Sequence, residues 1–340
     1  MSSYGLLSYS SINIGDEIQS VAAQRFLPSK ATPVHRERIS KFKSKNSQVK
    51  LIMNAWWMWE PENFPPSDDI DPLLISMHIQ GNILDKFLTP ETKEYLIKHG
   101  PVGCRDMGTA DYLNKNGVPA YFSGCLTLTL QRNWKIMRSN YVLCVDCPND
   151  VVQEIKKRTK RPVYPISRLI TPFYTAEERL NVAKVMLYLY HNAACVVTPC
   201  LHTIMPCLAF ETPVLRLIKG DSPNSKDYRF YGYEGFYREA CQKDFLENKN
   251  IYNFDRPPKN PDKYKKIRKE LIQKCKDFTG INKSHSPVSR HTENNILSLI
   301  WASQWTTYKK KRFLRFVEKS DLEQAITDFD NGLNRQDLKN

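Results

Sequence analysis

Short apolar runs alternate with helical stretches along most of this chain, and that alternation is the strongest limit on its fold. Strand-length runs read at Leu6 to Ser10, Lys50 to Ala55, Leu73 to His78, Val102 to Cys104 and Tyr121 to Ser123. Between the first two, a helix starts near Asp16 with Ile18, Val21, Ala22 and Phe26 at helical spacing. Another opens at Asp106, an N-cap residue type, and carries Met107, Ala110 and Leu113. It stops where Gly117 and Pro119 supply a C-cap glycine and a following proline. Strands separated by helices rather than hairpins predict an α/β fold with a parallel, doubly wound sheet.

From Leu126 to Ser139 the pattern lapses, and a second series then begins. Strands read at Tyr141 to Asp146, Val163 to Ser167, Ala194 to Thr198 and Pro213 to Ile218, with helices at Asp150 to Thr159 and His202 to Phe210. Thr175-Ala-Glu-Glu178 is a capping box that opens a further helix carrying Leu180, Ala183 and Leu187. A length of 340 residues suits two domains of about 150 residues each. The expected division is an N-terminal Rossmann-like lobe over 1–135, a C-terminal one over 136–290, and C-terminal helices over 291–340. Of these helices, His291 to Trp305 is a candidate to pack back on the first lobe.

No apolar run approaches the roughly 18 residues that span a bilayer. Met1 to Ser11 lacks the pattern of a secretory leader, so the expected location is cytoplasmic. Nine cysteines, odd in number and mostly inside apolar segments, read as reduced thiols. Cys144 and Cys147 form a C-x-x-C with no second pair or nearby histidine, so no metal site is expected. The net charge of +14 fits an anionic substrate or a nucleic acid. Much of the excess lies in Lys259 to Lys276 and Tyr308 to Arg312, which read as solvated faces of amphipathic helices, and no nucleic-acid partner is expected.

Candidate chemistry collects at strand-to-helix turns, where open α/β sheets bind ligands. In Ser11-Ile-Asn-Ile-Gly-Asp-Glu-Ile-Gln19, Gly15 allows close backbone approach, and Asp16 reads either as the N-cap or as a site acid. In Val102-Gly-Cys-Arg-Asp106, Arg105 stands where a guanidinium grips a carboxylate or phosphate, or else pairs with Asp106 or in an interdomain salt bridge. In Thr198-Pro-Cys-Leu-His202, Thr198 fits an N-cap and Pro199 the first helical position. That reading leaves the amides of Cys200 and Leu201 at the helix start, with Cys200 facing ligand or solvent. His202 in the first turn reads as an anion partner and proton donor, or as an interface histidine. Ser225-Lys-Asp-Tyr-Arg-Phe-Tyr-Gly232 offers cations and aromatics in a loop, and His78 ends a strand. Ala55-Trp-Trp-Met-Trp59 reads as sugar-stacking faces or as core.

At these residues the chain resembles the polysaccharide pyruvyl transferase family. The resemblance runs through Asn13-Ile-Gly-Asp-Glu-Ile-Gln19, Arg25-Phe-Leu-Pro28, Gly103-Cys-Arg-Asp106 and Phe122-Ser-Gly-Cys-Leu-Thr-Leu-Thr129. It continues in Leu201-His202, Pro206-Cys-Leu-Ala209, Thr212-Pro-Val214 and Asp227-Tyr-Arg-Phe230, covering about residues 5 to 235. It implies two Rossmann-like lobes facing a cleft, similar to GT-B glycosyltransferases. It also implies phosphoenolpyruvate as co-substrate, a sugar, oligosaccharide or lipid-linked glycan as acceptor, and no other cofactor. Under it, His202 and Asp16 are catalytic. Arg105, Cys200, Leu201, Lys226 and Arg229 bind the donor, and His78, Asn13 and Gln19 bind the acceptor. Where the family often has Arg-Leu-His this chain has Cys200-Leu-His202, so either Lys219, Lys226 or Arg229 is the replacement cation or the activity is altered. A glycosyltransferase using a nucleotide sugar and a basic nucleic-acid-binding protein are the alternative readings.

Overall fold

The computed structural model describes residues 3–28, 31–45, 47–169, 175–218, 227–249 and 252–281. Lys219, Lys226, the basic run at 308–312 and the helices expected beyond residue 290 lie outside them.

The first half runs β1 (Ser3–Ser8), α1 (Gly15–Gln24), β2 (Thr32–His35), β3 (Val49–Ile52), β4 (Trp56–Trp57), β5 (Ile70–Leu73) and β6 (His78–Ile79). It continues through α2 (Leu84–Phe87), α3 (Pro90–His99), β7 (Val102–Cys104), α4 (Met107–Lys115) and β8 (Ala120–Phe122). A four-stranded parallel sheet has the order β2-β1-β3-β5, and the pairs β4-β6 and β7-β8 are also parallel. The run expected as one strand from Leu73 to His78 is split by a turn. Ser76 takes φ 53, its N–H donates to Ser123 Oγ, and its hydroxyl donates to the Gly124 carbonyl. The chain then resumes beside its neighbours, His78 N donating to the Ala55 carbonyl and Met77 N to the Gly103 carbonyl.

The second half runs β9 (Val142–Val145), α5 (Asn149–Arg158), β10 (Val163–Ile166), α6 (Ala176–Asn192), β11 (Cys195–Thr198), α7 (Leu201–Ala209) and β12 (Val214–Ile218). β13 (Arg238–Cys241), α8 (Gln242–Leu246) and α9 (Lys265–Thr279) follow. All five strands are parallel in the order β10-β9-β11-β12-β13. The capping box at Thr175 and Glu178 opens α6 as the spacing predicts. Helix α9 buries Leu271, Cys275 and Thr279 and leaves most of its lysines to solvent, as an amphipathic helix does. Among the described residues no helix is long and apolar enough to cross a membrane.

The architecture is therefore mixed α/β with several parallel sheets. Leu126–Thr129, expected as the start of a polar connection, is instead a buried 3₁₀ turn packed against α1, α7 and α9. Its polar atoms are met locally, Thr129 Oγ1 donating to the Leu126 carbonyl. Apolar side chains of the turn join those of α1, α6 and α7 in one cluster that draws on both halves of the chain.

Each sheet reverses its strand order beside its first strand, β1 lying between β2 and β3 and β9 between β10 and β11. Ligand-binding loops of parallel sheets emerge at the carboxyl ends of strands around such a point. Here the two sets of loops touch. Ile14 N donates to the Arg168 carbonyl at 3.0 Å, and Asn13 bridges to Leu169. Below them α1 packs on α6 through a buried pair, with Arg179 Nε 2.5 Å from Glu17 Oε1. Burial pushes the Glu17 carboxyl up to about 7, against the pull of Arg179.

Candidate active site

Three turns supply the side chains that meet where the halves join. The first follows β1. Helix α1 begins at Gly15 with Ile14 at the N-cap and no side-chain cap, so Asp16 is the second helical residue and does not cap. Its carboxylate instead accepts from the Ser11 hydroxyl at 2.7 Å and lies 3.6 Å from Arg36 Nη1. The Gly15 amide donates to Asn13 Oδ1 at 3.0 Å. A Cβ at residue 15 would stand 3.0 Å from both Asn13 Oδ1 and His202 Nδ1, and 3.2 Å from Arg168 Nη1. Glycine is what lets the second half approach this closely.

The second turn follows β7. Asp106 caps α4 as expected, Oδ1 accepting from Thr109 N at 2.8 Å, while Oδ2 lies 2.6 Å from His78 Nδ1. Arg105 is 2% exposed, and its Nη1 donates to Gln19 Oε1 and lies 3.1 Å from His202 Nε2. Its Nε has no partner among the described residues. Gln19 is buried, its Nε2 reaching Asp16 Oδ1 at 3.5 Å, so it links Asp16 to Arg105. One turn into α1, the Gln19 side chain faces the turn after β7.

The third turn follows β11. The N-cap of α7 is Cys200, not Thr198, because extended geometry persists to residue 200. The Cys200 amide donates to Thr198 Oγ1 at 3.1 Å, so it is already satisfied. Its thiol is buried against Asp146 Oδ2 at 3.5 Å, so of the two surroundings expected for Cys200, ligand or solvent, solvent is excluded. Leu201 and His202 become the first two helical residues, where unsatisfied amides and the positive dipole end lie.

Arg168 and Asp146, which the sequence does not mark as site candidates, complete the cluster. Arg168, just after β10, donates to Asp146 Oδ2 at 2.8 Å and to Asn13 Oδ1 at 3.2 Å. Burial opposes the ionisation of Asp146, but Arg168 and the Ser167 hydroxyl outweigh it and hold the carboxyl below its usual range. Both residues lie at carboxyl ends of strands, so the positional rule applied to the other turns would have found them. Arg229, by contrast, is exposed and held by its own neighbour, Nε and Nη2 donating to Asp227 at 2.8 and 2.5 Å. Tyr228 beside it crosses to the first half, donating to the Ile79 carbonyl and packing against Gly108 and the His78 ring.

The electrostatics of the cluster favour an anion. Burial holds His202 well below its ordinary pKa, and Arg105, Arg168, Arg229 and His78 push the same way. Since arginine cannot accept a hydrogen bond, His202 Nε2 carries a lone pair and Nδ1 the proton. His78 is lowered to about 4 by burial and Arg105, despite its Asp106 partner. Arg168 and Arg229 are matched by Asp146 and Asp227, whereas Arg105 meets Gln19 and His202 and forms no ion pair among the described residues. An anionic group bound beside Arg105 would match its charge and favour the protonated form of His202. Among the described residues no three His, Cys, Asp or Glu side chains come together as a metal site requires.

No family model matches the chain, and no curated protein matches it. Among solved structures, an uncharacterised protein from Klebsiella pneumoniae is similar at a TM-score of 0.43 and 15% identity, over 70% of this chain and 92% of that one.

Proposed function

We propose that this chain is a GT-B-like two-lobed transferase that moves a pyruvyl group from phosphoenolpyruvate to a pair of sugar hydroxyls, forming a ketal. The observation that carries this reading is the buried contact of Arg105 with His202 at 3.1 Å, at the point where the loops of both sheets meet. Phosphoenolpyruvate has a phosphate and a carboxylate, which Arg105, Arg168 and the amides at the start of α7 suit in charge and kind.

In this mechanism the bound dianion raises the pKa of His202, which takes up a proton and delivers it to the donor's methylene carbon. The resulting oxocarbenium-like carbon is attacked by one sugar hydroxyl, and the bond to phosphate breaks. A second hydroxyl then closes the ring; of the two hydroxyl protons, one leaves with the departing phosphate and the other returns to His202. His78 is suited to orient the first hydroxyl by accepting its hydrogen bond: Asp106 fixes Nδ1 and leaves Nε2 as the acceptor. Asp16, bound to Ser11 and Arg36, orients the neighbouring wall and is a positioning residue in this account.

A nucleotide-sugar donor is the competing chemistry for this architecture. Isotope-labelled phosphoenolpyruvate and labelled nucleotide sugars, offered to the full chain with a sugar panel, separate the two. Label from phosphoenolpyruvate in the sugar product supports the proposal, and label from the nucleotide sugar alone replaces it.

A further inference from the structure

The aromatic run at 55–59 divides its side chains between two surroundings. Trp57 and Met58 are fully buried, Trp56 is half-buried, and Trp59 is 68% exposed. The parallel pair β4-β6 accounts for the split between Trp56 and Trp57. Its register sets Trp56 opposite His78 and Trp57 opposite Ile79. Paired residues of neighbouring strands share a face, and successive residues alternate. Trp57 and Ile79 go together into the core beneath the sheet. Trp56 therefore lies on the face of His78, whose ring meets Asp106 and Tyr228 at the candidate site.

Trp56 is also tied to Asp16. The Arg36 guanidinium lies 4.9 Å from the Trp56 ring and 5.0 Å from that of Tyr9, and pairs with both Asp16 and Glu37. Trp59 completes a corner, its ring 4.6 Å from Trp56 at an interplanar angle of 57°. Its exposure does not come from a loose loop. Glu37 Oε2 accepts from the amides of Trp59 and Glu60 at 2.9 and 3.1 Å, and Asn63 Nδ2 donates to Glu60 Oε2 at 2.7 Å.

We propose that Trp56 and Trp59 form a carbohydrate subsite holding the sugar ring next to the one that reacts, so that the acceptor is a glycan of at least two residues. This rests on the pyruvyl transfer reading, in which His78 faces the reacting hydroxyl. A fixed indole corner presents an apolar face to the C–H side of a pyranose at little entropic cost. The neighbouring charges favour a neutral sugar over a phosphate-bearing ligand. Arg36 is already matched by two carboxylates, and the Glu37 carboxylate that holds the Trp59 and Glu60 amides adds negative charge at this turn. Continuity with His78 on one strand face argues for an acceptor and against an unrelated protein partner.

The full chain labelled with 5-fluorotryptophan tests this, with the Trp59 resonance assigned from Trp59→Phe. The probes are galactose, glucose, mannose, lactose, cellobiose, maltose and mannobiose, each titrated alone. At least one disaccharide shifts the Trp59 and Trp56 resonances and binds more tightly than its constituent sugars. Trp59→Ala, at an exposed position, weakens that disaccharide by about fivefold or more, the effect of one lost aromatic contact. The inference is overturned if no probe moves Trp59, if monosaccharides bind equally well, or if the resonance shifts with protein concentration alone, which assigns the face to a second copy. Phosphoenolpyruvate titrated into the parent is read separately. Failure there removes the donor reading, whereas sugar shifts at Trp59 report on the corner itself.

Discussion

Arg105 Nη1 lies 3.1 Å from His202 Nε2, joining a strand end of the first half to a helix start of the second. The contact makes His202 Nε2 an acceptor, and burial, seconded by the Arg105 charge, keeps the imidazole neutral.

Arg105→Ala removes the guanidinium and leaves Gln19 Oε1 buried without its donor. Phosphoenolpyruvate binding should weaken by about 30-fold, the effect of losing roughly 2 kcal/mol of charged hydrogen bonding. Stability should fall by about 1–3 kcal/mol, the cost of the orphaned amide oxygen. The His202 imidazole should titrate at higher pH once the adjacent charge is gone. Calorimetry and histidine proton resonances measure both, and unchanged binding would leave Arg105 with a structural role.

Binding of phosphoenolpyruvate should be accompanied by proton uptake near neutral pH. The empty site holds His202 well below its usual pKa, and a bound dianion moves it upward. Affinity should therefore decline as pH rises through the raised value. Titration calorimetry in buffers of different ionisation enthalpy counts the proton. In His202→Gln the uptake should vanish, and persistent uptake would place the proton elsewhere.

His78 makes the fold acid-sensitive. Its folded-state pKa of about 4 lies below the unfolded value of about 6.5. Above the unfolded value both states are neutral and nothing is lost. As pH falls toward 4, the unfolded chain binds a proton that the folded one refuses, and stability declines. By pH 5 the loss is about 2 kcal/mol from this group. Urea melts at pH 7.5 and pH 5 should show a smaller difference for His78→Gln than for the parent, and equal differences would contradict this.

Arg179→Met leaves Glu17 buried beneath the junction without its partner, and Ser11 without the donor to its carbonyl. A broken buried pair costs roughly 3–5 kcal/mol. Thermal melts should show a large drop, and a shift within error would mean that solvent reaches Glu17.

The strand-helix alternation and the turns that carry Arg105 and His202 were legible because period and position at strand ends are local properties. Finer features were not. The start of α7 moved to Leu201 because Thr198 bonds the Cys200 amide while still in extended backbone. Leu126–Thr129 reads as a lapse in pattern, yet a 3₁₀ turn buries it between elements far apart in sequence. Arg168 and Asp146 are legible only by position, at the carboxyl ends of β10 and β9; the bond from Arg168 to Asn13 joins residues far apart in the chain. The split of Trp56 from Trp57 depends on register with β6, which no single segment encodes.

Pyruvyl transfer itself is tested most directly by mass spectrometry of a panel of free and glycan-linked sugars incubated with phosphoenolpyruvate and the full chain. The account predicts that at least one glycan gains a ketal-linked pyruvyl group with release of phosphate. Turnover should drop by roughly a hundredfold to ten-thousandfold in folded His202→Gln. A panel in which no sugar gains that mass, or a His202→Gln variant that matches the parent, would contradict it.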